Sequence, residues 1–150
     1  MSDLTQRLQA VTRLLLDTAP VVYYVEENAR YLPLVAGLFD RLDDGAFVGV
    51  ISPVTLAECL VMPYCLDRPA VRQILVEVLS GGNTLFVPID EAIADRAAEL
   101  RAHYNLTLTD AFQIAAALAA GCEAFLTNDA TLERVVELDV IVLDQIAGDE

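Results

Sequence analysis

Short apolar bursts alternate with longer amphipathic stretches along this chain, and turn residues separate the two. The bursts fall at Leu14–Leu16, Phe47–Ile51, Leu85–Val87, Ala124–Leu126 and Val140–Leu143. Each is rich in Leu, Val, Ile or Phe and lacks the in–out alternation of a strand with one wet face. Such runs predict strands buried on both faces of a parallel sheet. Between them, apolar positions at helical spacing predict helices over Val21–Glu27, Leu32–Asp43, Pro53–Met62, Pro69–Leu79, Glu91–His103, Asp110–Ala120 and Thr131–Leu138.

The punctuation agrees with this division. Ser52-Pro53 reads as an N-cap followed by proline in the first helical position, where its missing N–H costs nothing. Asp90 stands as an N-cap for Glu91–His103. Gly121 closes the alanine-rich helix, and Gly81-Gly82 ends the one before the third strand. Strands alternating with helices imply an α/β fold, a three-layer α/β/α sandwich with right-handed crossovers. No repeat, linker or low-complexity segment interrupts it, so residues 1–150 read as a single domain.

Composition narrows the setting. No apolar run approaches the roughly 18–20 residues that span a bilayer. The opening MSDLTQRLQAVTRLLLD carries acidic Asp3 and only a short LLL run, so it does not read as a secretory signal. A soluble, cytoplasmic protein without membrane contact is expected. Cys59, Cys65 and Cys122 have no C-x-x-C spacing, and with His103 as the sole histidine they make no zinc site; reduced thiols in or near a core are expected.

Charge is more informative. The formal net charge is −14, and all nine basic residues are arginine. Absence of lysine excludes the P-loop lysine, Schiff-base chemistry and the lysine of phospho-receiver domains. The acidity argues against binding nucleic acid by general charge attraction, so any such function must rely on local arginines and bound cations.

In an α/β sheet, ligands bind beyond the carboxyl ends of the strands, near the point where strand order reverses. Several acids fall at that edge. Asp17 ends the first strand in LLLDTAP, Asp110 opens the most apolar helix in LTLTDAFQIAAALAAG, and Asp129 follows the fourth strand in AFLTNDATLERV. Taken singly, each has an ordinary role as a helix cap or first-turn acid; Thr107 with Asp110 resembles a capping box. Glu58 is different. Its helical neighbours Val54, Ala57 and Val61 are apolar, so it is expected on a buried stripe, where a carboxylate needs a cationic partner or a changed protonation state.

Jointly, the four acids would converge with no lysine to neutralise them. Mg²⁺ or Mn²⁺, which prefer carboxylate and water oxygens, answer that need and suit phosphodiester hydrolysis. No Ser-His-Asp or Cys-His set offers an alternative hydrolytic chemistry. His103 sits at a helix end, where interaction with the helix dipole is a simpler role than general base.

From LLLDTAPVVYYVEENARY through TLAECLVMP and LTLTDAFQIAAALAAGCEAFLTND to LDVIVLDQI, the order and spacing of segments resemble the PIN-domain family. The resemblance is to its VapC-like members, toxins of bacterial type II toxin–antitoxin pairs. It implies a five-stranded parallel sheet flanked by helices, with the family's acidic quartet at Asp17, Glu58, Asp110 and Asp129 acting as catalytic and metal-binding residues. Thr18 and Thr127 stand where a small hydroxyl residue helps at the site. The implied activity is Mg²⁺- or Mn²⁺-dependent endoribonucleolytic cleavage of RNA, with a cognate antitoxin as partner and a homodimer as assembly. Two features depart from the pattern: Ala19 stands where the family often has Asn or Ser, and the chain is strongly acidic.

Arg30, Arg68, Arg72 and Arg101 are candidates for an RNA-holding patch, and solvated helix faces are the simpler reading for any one of them. Tyr23, Tyr24 and Tyr31 either complete the core or form part of a partner surface. Two other functions compete. One is a catalytically silent PIN module acting by protein binding. The other is a phosphate-handling signalling or phosphatase domain, which wants a second acid near Asp17 and a lysine; here Thr18 and Ala19 follow, and lysine is absent.

Overall fold

The computed structural model describes residues 3–147. Its centre is a five-stranded, all-parallel sheet of β1 (Arg13–Leu16), β2 (Val48–Ile51), β3 (Thr84–Phe86), β4 (Ala124–Thr127) and β5 (Asp139–Val142), in the order β3-β2-β1-β4-β5. The helices are α1 (Asp3–Arg7), α2 (Thr18–Val25), α3 (Leu32–Asp43), α4 (Pro53–Cys65), α5 (Pro69–Leu79), α6 (Glu91–Tyr104), α7 (Leu108–Ala119) and α8 (Leu143–Ala147).

Strand side chains divide between two cores because successive residues of a strand point to opposite faces. Leu14, Leu16, Leu126 and Ile141 pack with Val21 of α2, Val35 and Phe39 of α3, Cys59 of α4 and Leu75 of α5. Leu15, Val50, Phe125 and Val142 pack on the opposite face with Ile93 and Leu100 of α6 and Ile114 and Ala117 of α7. This is the expected three-layer sandwich, and it explains why β1, β2, β4 and β5 carry no polar alternation. Strand β3 departs from the expected burial on both faces, because it is an edge strand paired with β2 alone and leaves Leu85 38% and Phe86 47% exposed.

Several boundaries differ from the expected ones for physical reasons. The helix expected over Thr131–Leu138 is only a 3-10 turn, Ala130–Arg134. Residues 128–138 must bring the chain from the end of β4 back to the start of β5. An extended residue covers about 3.3 Å against 1.5 Å in a helix, so a crossover this short cannot stay helical. Helix α4 runs past Met62 to Cys65 although Pro63 lies inside it. Pro63 is buried and its carbonyl accepts the Arg68 N–H at 2.8 Å, so packing offsets the donor the ring removes. Helix α2 begins at Thr18, directly after Asp17, and stops at Val25, with Glu27 in the left-handed region at φ 53°. The short helices α1 and α8 had no periodic signal of their own, yet Leu4, Leu143 and Ile146 seal one core.

Strand β1 is the topological switch point. The chain builds β2 and β3 on one side of it, then returns to place β4 and β5 on the other. The crevice beyond the carboxyl ends of β1 and β4 is where such a sheet accommodates a ligand.

Candidate active site

Asp17 stands at the mouth of that crevice. Its N–H donates to Leu126 O of β4 at 3.0 Å, continuing the ladder one residue past the strand. Its carboxylate caps α2, with Oδ1 accepting the Thr18 N–H at 2.8 Å. The capping role expected for Asp17 is therefore met. Oδ1 also accepts from Gln113 Nε2 at 3.2 Å, and Oδ2 accepts from Thr127 Oγ at 2.7 Å.

Thr127 is fully buried, and its Oγ in turn accepts the Asp129 N–H at 3.1 Å, so one hydroxyl ties two of the site acids together. Asp129 caps the 3-10 turn through Oδ1, which accepts the N–H of Thr131 at 2.9 Å and its hydroxyl at 2.7 Å. Asp110 lies in the first turn of α7, its N–H capped by Thr107 Oγ at 3.2 Å, the expected half of a capping box.

Glu58 corrects an expectation. It is exposed, and so is Val61 at 54%, so the apolar neighbours counted along the helix do not make a buried stripe. The inward face of α4 is Thr55 and Cys59 instead, and Pro63 below them. Glu58 needs no arginine partner; its Oε1 accepts from Thr18 Oγ at 2.9 Å. Thr18 thereby links the residue after Asp17 to Glu58.

Electrostatics shows that the four acids share one region. The Asp110 carboxyl is held above its ordinary range by burial first. The Thr107 hydrogen bond opposes that, and the charges of Asp17, Asp129 and Glu58 each add to the rise. Among the described residues none of the four is in an ion pair. Among the described residues, too, no three histidine, cysteine or acidic side chains are gathered closely enough to ligate one ion as they stand. The donor set consists of hard carboxylate and hydroxyl oxygens. Such a set fits Mg²⁺ or Mn²⁺, because Mg²⁺ keeps several waters and takes only one or two carboxylates directly.

Beneath this cluster lie Thr127, expected there as a helper, and three residues not expected at the site: Ser52, anticipated only as a helix cap, Thr55 and Gln113. Ser52, Thr55, Gln113 and Thr127 are the buried polar side chains of the described residues, and all four lie at this one edge of the sheet. Ser52 caps α4, accepting the Val54 N–H at 3.1 Å, and donates to Gln113 Oε1. Gln113 Nε2 donates to Thr55 Oγ at 2.6 Å, and Thr55 Oγ donates to Leu16 O at 2.9 Å. A signal was present: Gln113 is the one polar residue in the run Ala111–Ala120, three positions after Asp110.

Asn128 is a second residue missed. Its Nδ2 donates to the hydroxyls of Tyr23 at 2.9 Å and Tyr31 at 3.2 Å, and its Oδ1 accepts the Asp144 N–H at 2.8 Å. Tyr23 and Tyr31 stack with centroids 4.2 Å apart, and Tyr24 stacks on Phe39 at 4.1 Å. The tyrosines thus complete the core and pin the loop that carries Asp129.

The arginine candidates separate by their partners. Arg30 pairs with Asp144 at 3.5 Å and lies over the Tyr31 ring. Arg72 lies over Tyr64, and Arg68 is the N-cap of α5. Tyr64 sits six residues along α4 from Glu58, roughly 9 Å at 1.5 Å per residue, and Arg72 is engaged with its ring. Arg101 donates to Leu106 O, in the turn that leads into α7. Arg134, which was not a candidate, donates to Thr131 O at 2.8 Å and Tyr104 O at 2.9 Å, between the Asp129 turn and the end of α6. His103 is exposed, edge-on to Tyr104, and makes no hydrogen bond or ion pair with the acids. Cys59 and Cys122 are buried, with burial pushing both thiols up to about 12, while Cys65 is exposed.

Comparison with known proteins decides the family. The PIN domain family model matches residues 14–138, from the first strand to the start of the fifth. This chain belongs to the PIN domain family.

No curated protein matches this chain in sequence. Solved structures share its fold at low identity. VapBC2 from Rickettsia felis, bound to a DNA fragment from its promoter, superposes with a TM-score of 0.71 at 15% identity, over 87% of this chain and 98% of that one. A toxin–antitoxin complex from Klebsiella pneumoniae gives 0.66 at 19%, over 87% and 97%. VapC20 from Mycobacterium tuberculosis, a toxin that cleaves the sarcin-ricin loop, gives 0.62 at 11%, over 75% and 86%.

Proposed function

We propose that this PIN domain is a metal-dependent endoribonuclease that cleaves RNA phosphodiester bonds, and that it is the toxin of a VapBC-type toxin–antitoxin pair. The observation that carries the reading is the placement of Asp17, Glu58, Asp110 and Asp129 about the topological switch point, with the charges of the other three acting on Asp110 and none of the four in an ion pair among the described residues.

Asp17, Glu58, Asp110 and Asp129 would hold Mg²⁺ or Mn²⁺. A bound divalent ion supplies positive charge for the attacking and leaving oxygens of a phosphodiester. The chain supplies the rest. Thr127 and Gln113 fix the Asp17 carboxylate, Thr18 orients Glu58, and Thr131 holds Asp129. Glu58 or Asp110 would help take the proton from the attacking water.

RNA is a polyanion facing an acidic protein, so its phosphates need uncompensated cations near the acids. Arg101 and Arg134 meet that need: both are held by backbone carbonyls, and neither is paired to a carboxylate among the described residues. The antitoxin partner is proposed from the fold's similarity to toxin–antitoxin complexes. A homodimer is proposed as the assembly, supported by the exposed apolar side chains Val61, Met62, Ile74, Val76 and Phe86. Among the described residues no helix is long and apolar enough to cross a membrane.

The test is cleavage of a mixed RNA pool with and without Mn²⁺ or Mg²⁺, comparing wild type with Asp110→Asn. That no three of the acids are gathered for one ion as they stand, among the described residues, also favours a second reading, a silent module that binds protein. Metal binding without cleavage of any RNA would support that reading and sink the first.

A further inference from the structure

A glutamine 1% exposed in the apolar body of α7 needs a reason, because burying an amide without hydrogen-bond partners is costly. Gln113 has partners at both ends, and their directions can be deduced. The Leu16 carbonyl can only accept, so the one proton of the Thr55 hydroxyl is committed to it at 2.9 Å. Thr55 Oγ must then accept from Gln113, which turns the amide nitrogen toward Thr55 and Asp17. The amide oxygen consequently faces Ser52, whose own proton goes to it, while the Ser52 oxygen accepts the backbone N–H groups of Val54 and Thr55. Every donor in this chain has one destination. The strand carbonyl of Leu16 thus dictates the orientation of an amide on α7, through a threonine on α4.

The result is felt at Asp17. Oδ1 receives two hydrogen bonds, from the Thr18 N–H and from Gln113, which fill both of its lone pairs. Oδ2 receives one, from Thr127, and no other donor among the described residues. We propose that Gln113 is a positioning residue of the site, which saturates Asp17 Oδ1 and leaves a single open lone pair, on Oδ2, for a divalent cation. This rests on the reading of the four acids as a metal site. It adds that the network of Ser52, Thr55 and Gln113, which touches no substrate, sets how Asp17 meets the ion. Residues that orient ligands typically change metal affinity 10–100-fold when removed.

The experiment is Mn²⁺ binding to the folded chain by isothermal titration calorimetry, with thermal unfolding measured on the same samples. Gln113→Leu is expected to bind Mn²⁺ about tenfold or more weakly than wild type. Thr55→Val touches neither Asp17 nor the ion, yet it is expected to weaken Mn²⁺ in the same direction, and Thr55→Ser, which keeps the relay hydroxyl, to restore it. A merely structural role would lower the melting temperature of these variants and leave Mn²⁺ affinity unchanged. Wild-type affinity in folded Gln113→Leu overturns the proposal. Should Gln113→Leu fail to fold, equal affinities for Thr55→Val and Thr55→Ser overturn it. A wild-type chain that binds no Mn²⁺ overturns the metal site as well, and so separates the two failures.

Discussion

Thr127 donates its hydroxyl proton to Asp17 Oδ2 at 2.7 Å and with the same oxygen accepts the Asp129 N–H at 3.1 Å. The side chain is fully buried at the end of β4, so the contact leaves no room for water to substitute. One hydroxyl therefore sets the spacing of two acids that the sequence separates by more than a hundred residues.

Thr127→Val keeps the shape and removes both hydrogen bonds. It is expected to destabilise the fold by about 1–3 kcal/mol, the cost of a buried group left unpaired. Thr127→Ser is expected to lie near wild type. Urea unfolding of the three proteins checks this, and a Thr127→Val as stable as wild type would show that the hydroxyl is not holding the acids.

Asp110 is half-buried among like charges, which disfavour its ionised form. Asp110→Asn is accordingly expected to melt at or above the wild-type temperature in chelator at neutral pH, and to lose the rise in melting temperature that Mn²⁺ gives wild type. A variant that melts well below wild type in chelator would contradict the picture of mutual repulsion.

Glu123, at the opposite edge of the sheet, governs a pH dependence. Burial pushes its carboxyl up, but hydrogen bonds from the Thr12 hydroxyl and the N–H groups of Arg13 and Thr12 outweigh that and hold it below its usual range. A lowered folded-state pKa contributes stability that is present above the unfolded-state value and is lost as pH falls through the folded one. Unfolding measured from about pH 6 down to about pH 3 should show a declining acid limb. Glu123→Gln should flatten that limb, and an unchanged slope would count against the assignment.

Arg101 and Arg134 carry the proposed phosphate contacts. With cleavage blocked by Asp110→Asn, replacing either by Gln should weaken binding to RNA and lower the magnitude of the log–log salt slope by about one. Arg7→Gln is the control, since Arg7 is already paired with Asp139 at 2.8 Å. Equal effects at all three positions would place the RNA elsewhere.

Much of this was legible from the chain. The apolar bursts became strands, covered on both faces except at the edge strand β3, and the acids were singled out because sheet ends recur at fixed places in a βα pattern. What was not legible depends on tertiary placement. Glu58 counted as buried on its helical neighbours, but the face it shares with Val61 is exposed. The 3-10 turn replaced a helix because the return to β5 is short, a length constraint no local pattern carries. Gln113 was visible as an oddity in an alanine-rich helix, yet its partners Asp17, just past β1, and Thr55, on α4, lie some sixty to a hundred residues away. The arginines could not be ranked at all, because their usefulness depends on which ones a carboxylate already neutralises.

The most direct measurement is cleavage of a mixed RNA pool by wild type and Asp110→Asn, each with Mn²⁺, with Mg²⁺ and with chelator. Cuts that require the metal and vanish in a folded Asp110→Asn are the predicted result. Cuts that persist in chelator or in the variant, or no cuts by a wild type shown to bind Mn²⁺, would contradict the account.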